Sequence, residues 1–83
     1  MSAAVSTTVY AALARQLRMA PAELMRLQGE SLDRLGLDSH GLMRVLLEIE
    51  RELKLPHSLE LPDEALENPA TLAAGVVAVA AGG

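Results

Sequence analysis

The chain has 83 residues, of which 51% are hydrophobic, with a single aromatic residue, Tyr10, and no cysteine. A chain of this length forms one small domain that buries about 60–65% of the surface its unfolded form exposes, and without cysteine it has no disulfide framework and no thiolate metal site. The formal net charge of −4 disfavours binding to phosphate backbones, and one aromatic residue provides no platform for stacking bases, so we expect no nucleic-acid partner.

The charge is unevenly distributed along the chain. Residues 1–38 carry as many basic as acidic side chains, so the whole net charge of −4 lies in residues 39–83. An acidic second half suits partners with basic surfaces. It is equally typical of an ordinary solvated surface, and composition alone does not choose between the two.

The first third of the chain predicts a helix and then a structured connection. Apolar residues recur at helical spacing within residues 7–18, which predicts the first helix there. Residues 19–38 form a long loop in which Pro21 suits the first position of a short helical turn. The loop contains regularly spaced leucines that we expect to pack back on the core: Leu24, Leu27, Leu32, Leu35 and Leu37.

Three further helices follow. Asp38 is a good N-cap for a helix over residues 39–54, which Pro56 stops. A short helical turn is expected over residues 63–67, and Asn68 followed by Pro69 opens a last helix over 69–80. No segment apart from a brief LELP alternates like a strand. We therefore predict one all-α domain spanning 1–83, a small four-helix bundle with three main helices, one short helix and a long first connection.

Several classes of site and location are disfavoured. With only His40 and His57 as histidines, and no carboxylates at ligand spacing beside them, we expect no metal centre. The N-terminus lacks the features of a signal peptide, and the apolar tail is too short to span a bilayer. We expect a cytoplasmic protein without a membrane partner, and a monomer by default.

The helix over residues 39–54 has two apolar stripes. Leu42, Val45, Leu46, Ile49 and Leu53 share one face, which suffices for the core. Met43 and Leu47 lie roughly 100–140° away around the helix, on the side of His40. Apolar residues off the core stripe often mark an interaction surface, and burial of both against the long loop is the alternative.

Ser39 lies where that second stripe starts, and it makes a poor catalytic nucleophile. A serine hydrolase needs a base within hydrogen-bond reach, an orienting group and an oxyanion hole. His40 is adjacent in sequence, so its side chain projects about 100° away from Ser39 on a helix, and His57 lies beyond the helix. No strand–turn–helix context surrounds the serine. We therefore expect no enzymatic activity from the chain itself.

The sequence resembles the acyl carrier protein superfamily, the acyl and peptidyl carriers of fatty-acid, polyketide and nonribosomal-peptide synthesis. The resemblance covers nearly the whole chain. It is carried by LGLDS at residues 35–39, the helix LMRVLLEIEREL, LPDE at 61–64 and NPATL at 68–72. LGLDS alone is weak evidence, but its position halfway along a helical chain, between a leucine-spaced loop and an amphipathic helix, strengthens it. The fold that this resemblance implies is a bundle of the acyl-carrier-protein type.

The resemblance implies a covalent cofactor. Ser39 would receive 4′-phosphopantetheine from coenzyme A through a phosphopantetheinyl transferase, with Asp38 as helix cap and flanking motif residue. The thiol of the arm would hold an acyl or aminoacyl group as a thioester. The other implied partners are a loading enzyme (an adenylating enzyme or acyltransferase) and ketosynthase or condensing, tailoring or releasing enzymes.

The resemblance also implies a face that partner enzymes read. By position it consists of His40, Met43, Arg44, Leu47, Glu48 and Arg51. His40 stands where the family usually has leucine or isoleucine, and Arg44 and Arg51 occupy a face that is predominantly acidic in housekeeping fatty-acid carriers. This departure favours a specialised partner set and a polyketide or nonribosomal-peptide type of secondary-metabolite pathway. The initiating methionine and short N-terminal tail favour a discrete protein.

Besides a catalytic protein, which predicts turnover by the isolated chain, two alternatives remain open at this point. In one, the chain is a helical interaction module in which Ser39 only begins a helix and Met43 and Leu47 bind a partner helix. In the other, it is a carrier-like domain that is never modified. Both predict that the chain gains no phosphopantetheine.

Overall fold

The computed structural model describes residues 2–56 and 58–82, and within these the chain is helical without strands. The helices are α1 (Ser2–Leu17), α2 (Pro21–Arg26), α3 (Ser39–Leu53) and α4 (Pro69–Gly82), with a 3-10 helix at Asp63–Leu66 between the last two. The predicted small helical bundle, with three main helices and a long first connection, is confirmed. Of the two histidines considered above as metal ligands or bases, His57 lies outside the described residues.

The helix bounds differ from the predicted ones, and the differences have local causes. The first helix was predicted to begin at residue 7 but begins at Ser2, because no proline or glycine interrupts the small residues that precede the apolar stripe. It ends one residue early because Arg18 adopts a left-handed backbone with φ of 58°. Lys54 does the same at the end of α3, with φ of 52°. In both places a backbone N–H reaches back five residues, from Met19 to Ala14 and from Leu55 to Glu50, as in a Schellman motif.

Two other bounds differ at the second half of the chain. The short turn predicted over 63–67 is a 3-10 helix that ends at Leu66, and the last helix extends past residue 80 to Gly82. The predicted cap of α4 is present. The backbone N–H of Thr71 donates to Oδ1 of Asn68 (2.8 Å), and that of Asn68 donates to Oγ1 of Thr71 (3.1 Å). This reciprocal pair satisfies two backbone donors that a helix start otherwise leaves without partners.

The core is aliphatic and is centred on α1, which packs against α2, α3 and α4. The largest fully buried side chains come from every helix except the 3-10 helix: Val9, Leu13, Leu24, Val45, Ile49, Pro69, Leu72 and Val76. The single aromatic residue, Tyr10, lies at the margin, where its hydroxyl donates to Oε1 of Gln28 (3.4 Å). Burial raises the pKa of the Tyr10 hydroxyl above its ordinary value.

The long first connection is structured, as its leucines predicted. Leu24, Leu32 and Leu37 are buried, and Leu27 and Leu35 are partly buried. Two backbone hydrogen bonds tie this connection to the second half of the chain. The N–H of Leu32 donates to the carbonyl of Glu67 (2.8 Å), and the N–H of Ala70 donates to that of Gln28 (3.1 Å). These hydrogen bonds therefore fix the position of the connection that leads into α3.

Candidate functional site

The start of α3 is held by its cap and by close packing beneath it. The backbone N–H of Gly41 donates to Oδ1 of Asp38 (2.7 Å), and the N–H of Leu42 donates to the carbonyl of Asp38 (2.9 Å). Gly41 is buried, and a Cβ at that position would lie 2.9 Å from Cδ1 of Leu37 and 3.3 Å from Nε2 of Gln16. The absence of a side chain at position 41 therefore lets α3 begin close against α1 and the preceding loop.

The turn before the cap requires a glycine. Gly36 has φ of 98°, in the left-handed region that side chains disfavour. Its N–H donates to the carbonyl of Asp33 (3.0 Å), and the N–H of Leu37 then reaches back to Leu32 (2.9 Å). With Leu32 and Leu37 buried, this turn fixes the direction in which the chain enters Asp38 and Ser39.

Ser39 is the first residue of α3, and its side chain is exposed. Within the described residues its hydroxyl makes no hydrogen bond, while Asp38 and His40 on either side are also exposed. The amides of Ser39 and His40 lie in the first turn, where no preceding carbonyl accepts from them. An exposed hydroxyl at the positive end of a helix can hold a phosphodiester without a desolvation cost, because unpaired N–H groups and the helix dipole favour negative charge there.

Met43 and Leu47 are among the most exposed large apolar side chains of the described residues, at 59% and 51%. The alternative in which both pack against the long loop is therefore wrong. The core stripe of α3 faces the other way, with Val45 and Ile49 buried. Leu42, Leu46 and Leu53 are partly buried against the core.

A groove with a volume of about 510 Å³ runs along the outer side of α3, and four of the six predicted partner-face residues line it. Its lining comprises Arg15, Arg44, Leu47, Glu48, Arg51 and Glu52. His40 and Met43 are exposed on the same helix but do not line it. The predicted face is thus one exposed surface, of which the groove is a part.

Arg15 of α1 and Glu52 are groove residues that the sequence did not indicate. The guanidinium of Arg15 forms an ion pair and hydrogen bond with the carboxylate of Glu48 on α3. The sequence shows only that Arg15 lies off the apolar stripe of α1. It does not indicate the pairing, because Glu48 is 33 positions away in the chain. A second groove, of about 470 Å³ between α1 and α2, contains half-exposed Met25 and none of the predicted site residues.

Two features are absent from the part of the chain that the structure describes. No group of three or more histidine, cysteine, aspartate or glutamate side chains lies close enough together to hold a metal ion. None of the described helices has both the length and the apolar character needed to cross a bilayer.

Comparison with known proteins identifies the family. The model of the phosphopantetheine attachment site family matches residues 7–76, which include all of α3 and parts of α1 and α4. The chain belongs to that family. The resemblance to the acyl carrier protein superfamily is therefore confirmed. No curated protein and no solved structure gave a significant match.

Membership establishes the general function. Domains of this family are attachment sites for covalent 4′-phosphopantetheine, so this chain is a carrier protein that holds such an arm. Carrier domains are generally not catalytic themselves. They generally interact with a phosphopantetheinyl transferase and with the enzymes that act on the attached group. The exposed hydroxyl and helix start described above are chemically suited to such a group.

Proposed function

We propose that Ser39 is the attachment point and that the chain carries an acyl or aminoacyl thioester in a secondary-metabolite pathway of the polyketide or nonribosomal-peptide type. It works as a monomer in the cytoplasm. The observation that carries the assignment of Ser39 is its exposed hydroxyl at the first residue of α3, behind the Asp38 cap.

The other serines of the matched segment support this choice. The Oγ of Ser31 accepts a hydrogen bond from the backbone N–H of Arg34 (3.2 Å), and the third serine of the segment is Ser58. Neither begins an α-helix. Among the serines of residues 7–76, Ser39 thus combines an accessible hydroxyl with a helix start that tolerates the phosphodiester.

The chain needs no catalytic base for this modification, because the transferase supplies the chemistry. A bond forms between Oγ of Ser39 and the phosphorus of the pantetheine phosphate, and the bond from that phosphorus to the adenosine 3′,5′-bisphosphate of coenzyme A breaks. The serine proton leaves to the transferase. The residues of this chain position the hydroxyl: Asp38 caps the helix, and Gly41 allows its close packing.

The decisive experiment is intact-protein mass spectrometry after incubation with coenzyme A and a broad-specificity phosphopantetheinyl transferase. We expect the natural chain and a Ser31→Ala control to gain one phosphopantetheine, and Ser39→Ala to gain none. Far-UV circular dichroism of Ser39→Ala should be nearly unchanged, because the Asp38 cap remains. A gain retained in Ser39→Ala, or lost in Ser31→Ala, would place the attachment elsewhere.

The pathway assignment depends on the charges of α3. Arg44 and Arg51 flank exposed Leu47 and share the groove with Glu48 and Glu52, so the surface offered to partners carries charges of both signs. We expect the chain, recovered from its native cells with its thioester intact, to carry an aminoacyl group or an acyl chain that retains keto groups. A saturated straight chain that grows by two carbons at a time would instead indicate primary fatty-acid synthesis.

A further inference from the structure

The groove along α3 differs in charge from the rest of the molecule. Three arginines and two glutamates line it, whereas the whole chain carries a net charge of −4. The remainder of residues 39–83 is strongly acidic. The groove therefore carries charges of both signs with one net positive charge, on a protein that is otherwise acidic.

Only some of these charges are available to another molecule. Arg15 and Glu48 pair with one another across α1 and α3 and so largely cancel. Arg44 and Arg51 are exposed, and neither has an ion-pair partner within residues 2–56 and 58–82. Glu52, also exposed, is the remaining acid of the lining.

The two unpaired arginines bracket an apolar contact. They are seven residues apart, which is about 10 Å along a helix, and Leu47 lies between them with half of its surface exposed. Met43 extends the apolar surface toward Ser39. An apolar centre with charges at its edges is the usual anatomy of a protein-binding patch.

We propose that this groove docks partner enzymes whose own surface presents carboxylates about 10 Å apart around an apolar pocket that receives Leu47. The inference rests on the proposed carrier function and names the chemistry of its partners. An acidic partner is attracted to the groove and repelled by the surrounding acidic surface, so the field of the chain also orients the encounter. A basic partner would be drawn to the acidic remainder of the chain instead.

The test compares two charge-reversed chains with the same net charge. In the groove variant, Arg44→Glu and Arg51→Glu are combined. In the control variant, Arg26→Glu and Arg34→Glu are combined, since both are exposed arginines outside the groove. Circular dichroism and a melting curve should show that both variants are folded.

The probes are two forms of one phosphopantetheinyl transferase. The first form has basic residues on its carrier-docking surface, and in the second form these are replaced by glutamate. The measured quantity is the ratio of kcat/KM for the acidic form to that for the basic form, with arm transfer followed by mass spectrometry. Comparing this ratio between chains removes any loss intrinsic to the altered transferase.

We expect the groove variant to lower this ratio by about tenfold or more relative to the natural chain at low salt, and the control variant to change it less than about twofold. The effect should shrink at about 1 M salt, where the Debye length is about 3 Å. An unchanged ratio in the groove variant, or equal changes in both variants, would overturn the docking proposal while leaving Ser39 as the attachment point. Failure of every chain to gain mass would overturn the proposed function, and the docking proposal with it.

Discussion

Helices α3 and α4 are of similar length but differ in the side chains that they expose to solvent. α3 has a buried apolar face and an outer face that combines exposed Met43 and Leu47 with arginines and glutamates. α4 contains no charged residue. Its exposed positions are instead occupied by small side chains: Ala74, Ala78 and Ala81.

This difference shows which apolar exposure is informative. A helix whose outer residues are alanines presents only methyl groups to solvent, and exposed apolar atoms of this kind are common on protein surfaces. Long apolar side chains next to unpaired charges are less expected, because they cost solubility without adding to the core. Among the residues that the structure describes, Met43 and Leu47 lie on the helix that begins with Ser39, and the other exposed long apolar side chain, Met25, lies on α2.

The largest expected effect separates the two faces of α3. Ile49 is fully buried, so Ile49→Ala should lower the free energy of unfolding by about 2–5 kcal/mol. Leu47→Ala, on the exposed face, should cost less than about 1 kcal/mol. Urea denaturation followed by circular dichroism measures both. Similar losses in the two variants would show that Leu47 contributes to the core and would remove the contrast with α4.

A smaller effect separates the charged residues of α3 from one another. The carboxylate of Glu50 accepts a hydrogen bond from the backbone N–H of buried Leu59 (2.8 Å), which anchors the segment after the helix. Glu50→Ala should therefore cost about 1–2 kcal/mol, because that N–H loses its acceptor. Glu52→Ala, at an exposed position with the same helix-propensity change, should cost within about 0.5 kcal/mol. Equal unfolding midpoints in urea would contradict a structural role for Glu50.

The smallest effect compares the outer faces of α3 and α4 directly. Leu47→Glu should reduce the kcat/KM of arm transfer by about three- to tenfold without changing the melting temperature appreciably, because it replaces the apolar contact between two arginines. Ala78→Glu adds the same charge to exposed α4 and should leave the rate within about twofold. Equal reductions would mean that added negative charge, rather than Leu47, controls the rate.

The elements that could be predicted from the sequence are those specified by local chemistry. Asp38 and the Asn68–Pro69 pair cap their helices through short side-chain hydrogen bonds, and both starts lie at the predicted residue. The leucines of the first connection predicted its packing, because apolar side chains of that size are seldom left in solvent. The start of α1 lacked such a signal, since no proline or glycine marks a boundary in residues 2–6.

The features that escaped prediction depend on residues distant in the chain or on the backbone alone. Left-handed Arg18 and Lys54 end their helices although neither is glycine, so side-chain type gave no warning. The pair of Arg15 and Glu48 joins two helices whose relative rotation is set by the whole core. The groove that it helps to form could therefore not be deduced from either helix separately.

The close packing beneath Gly41 has a mechanical consequence. A methyl group there would come within 2.9 Å of Leu37, so the first turn of α3 already lies near its closest approach to the rest of the bundle. An arm attached at Ser39 would start from a helix turn that is packed closely against the preceding loop and α1. The thiol end of the arm would then reach successive active sites through rotations about the bonds of the arm. The distance from the docked helix to an active-site entrance would decide which enzymes the cargo reaches.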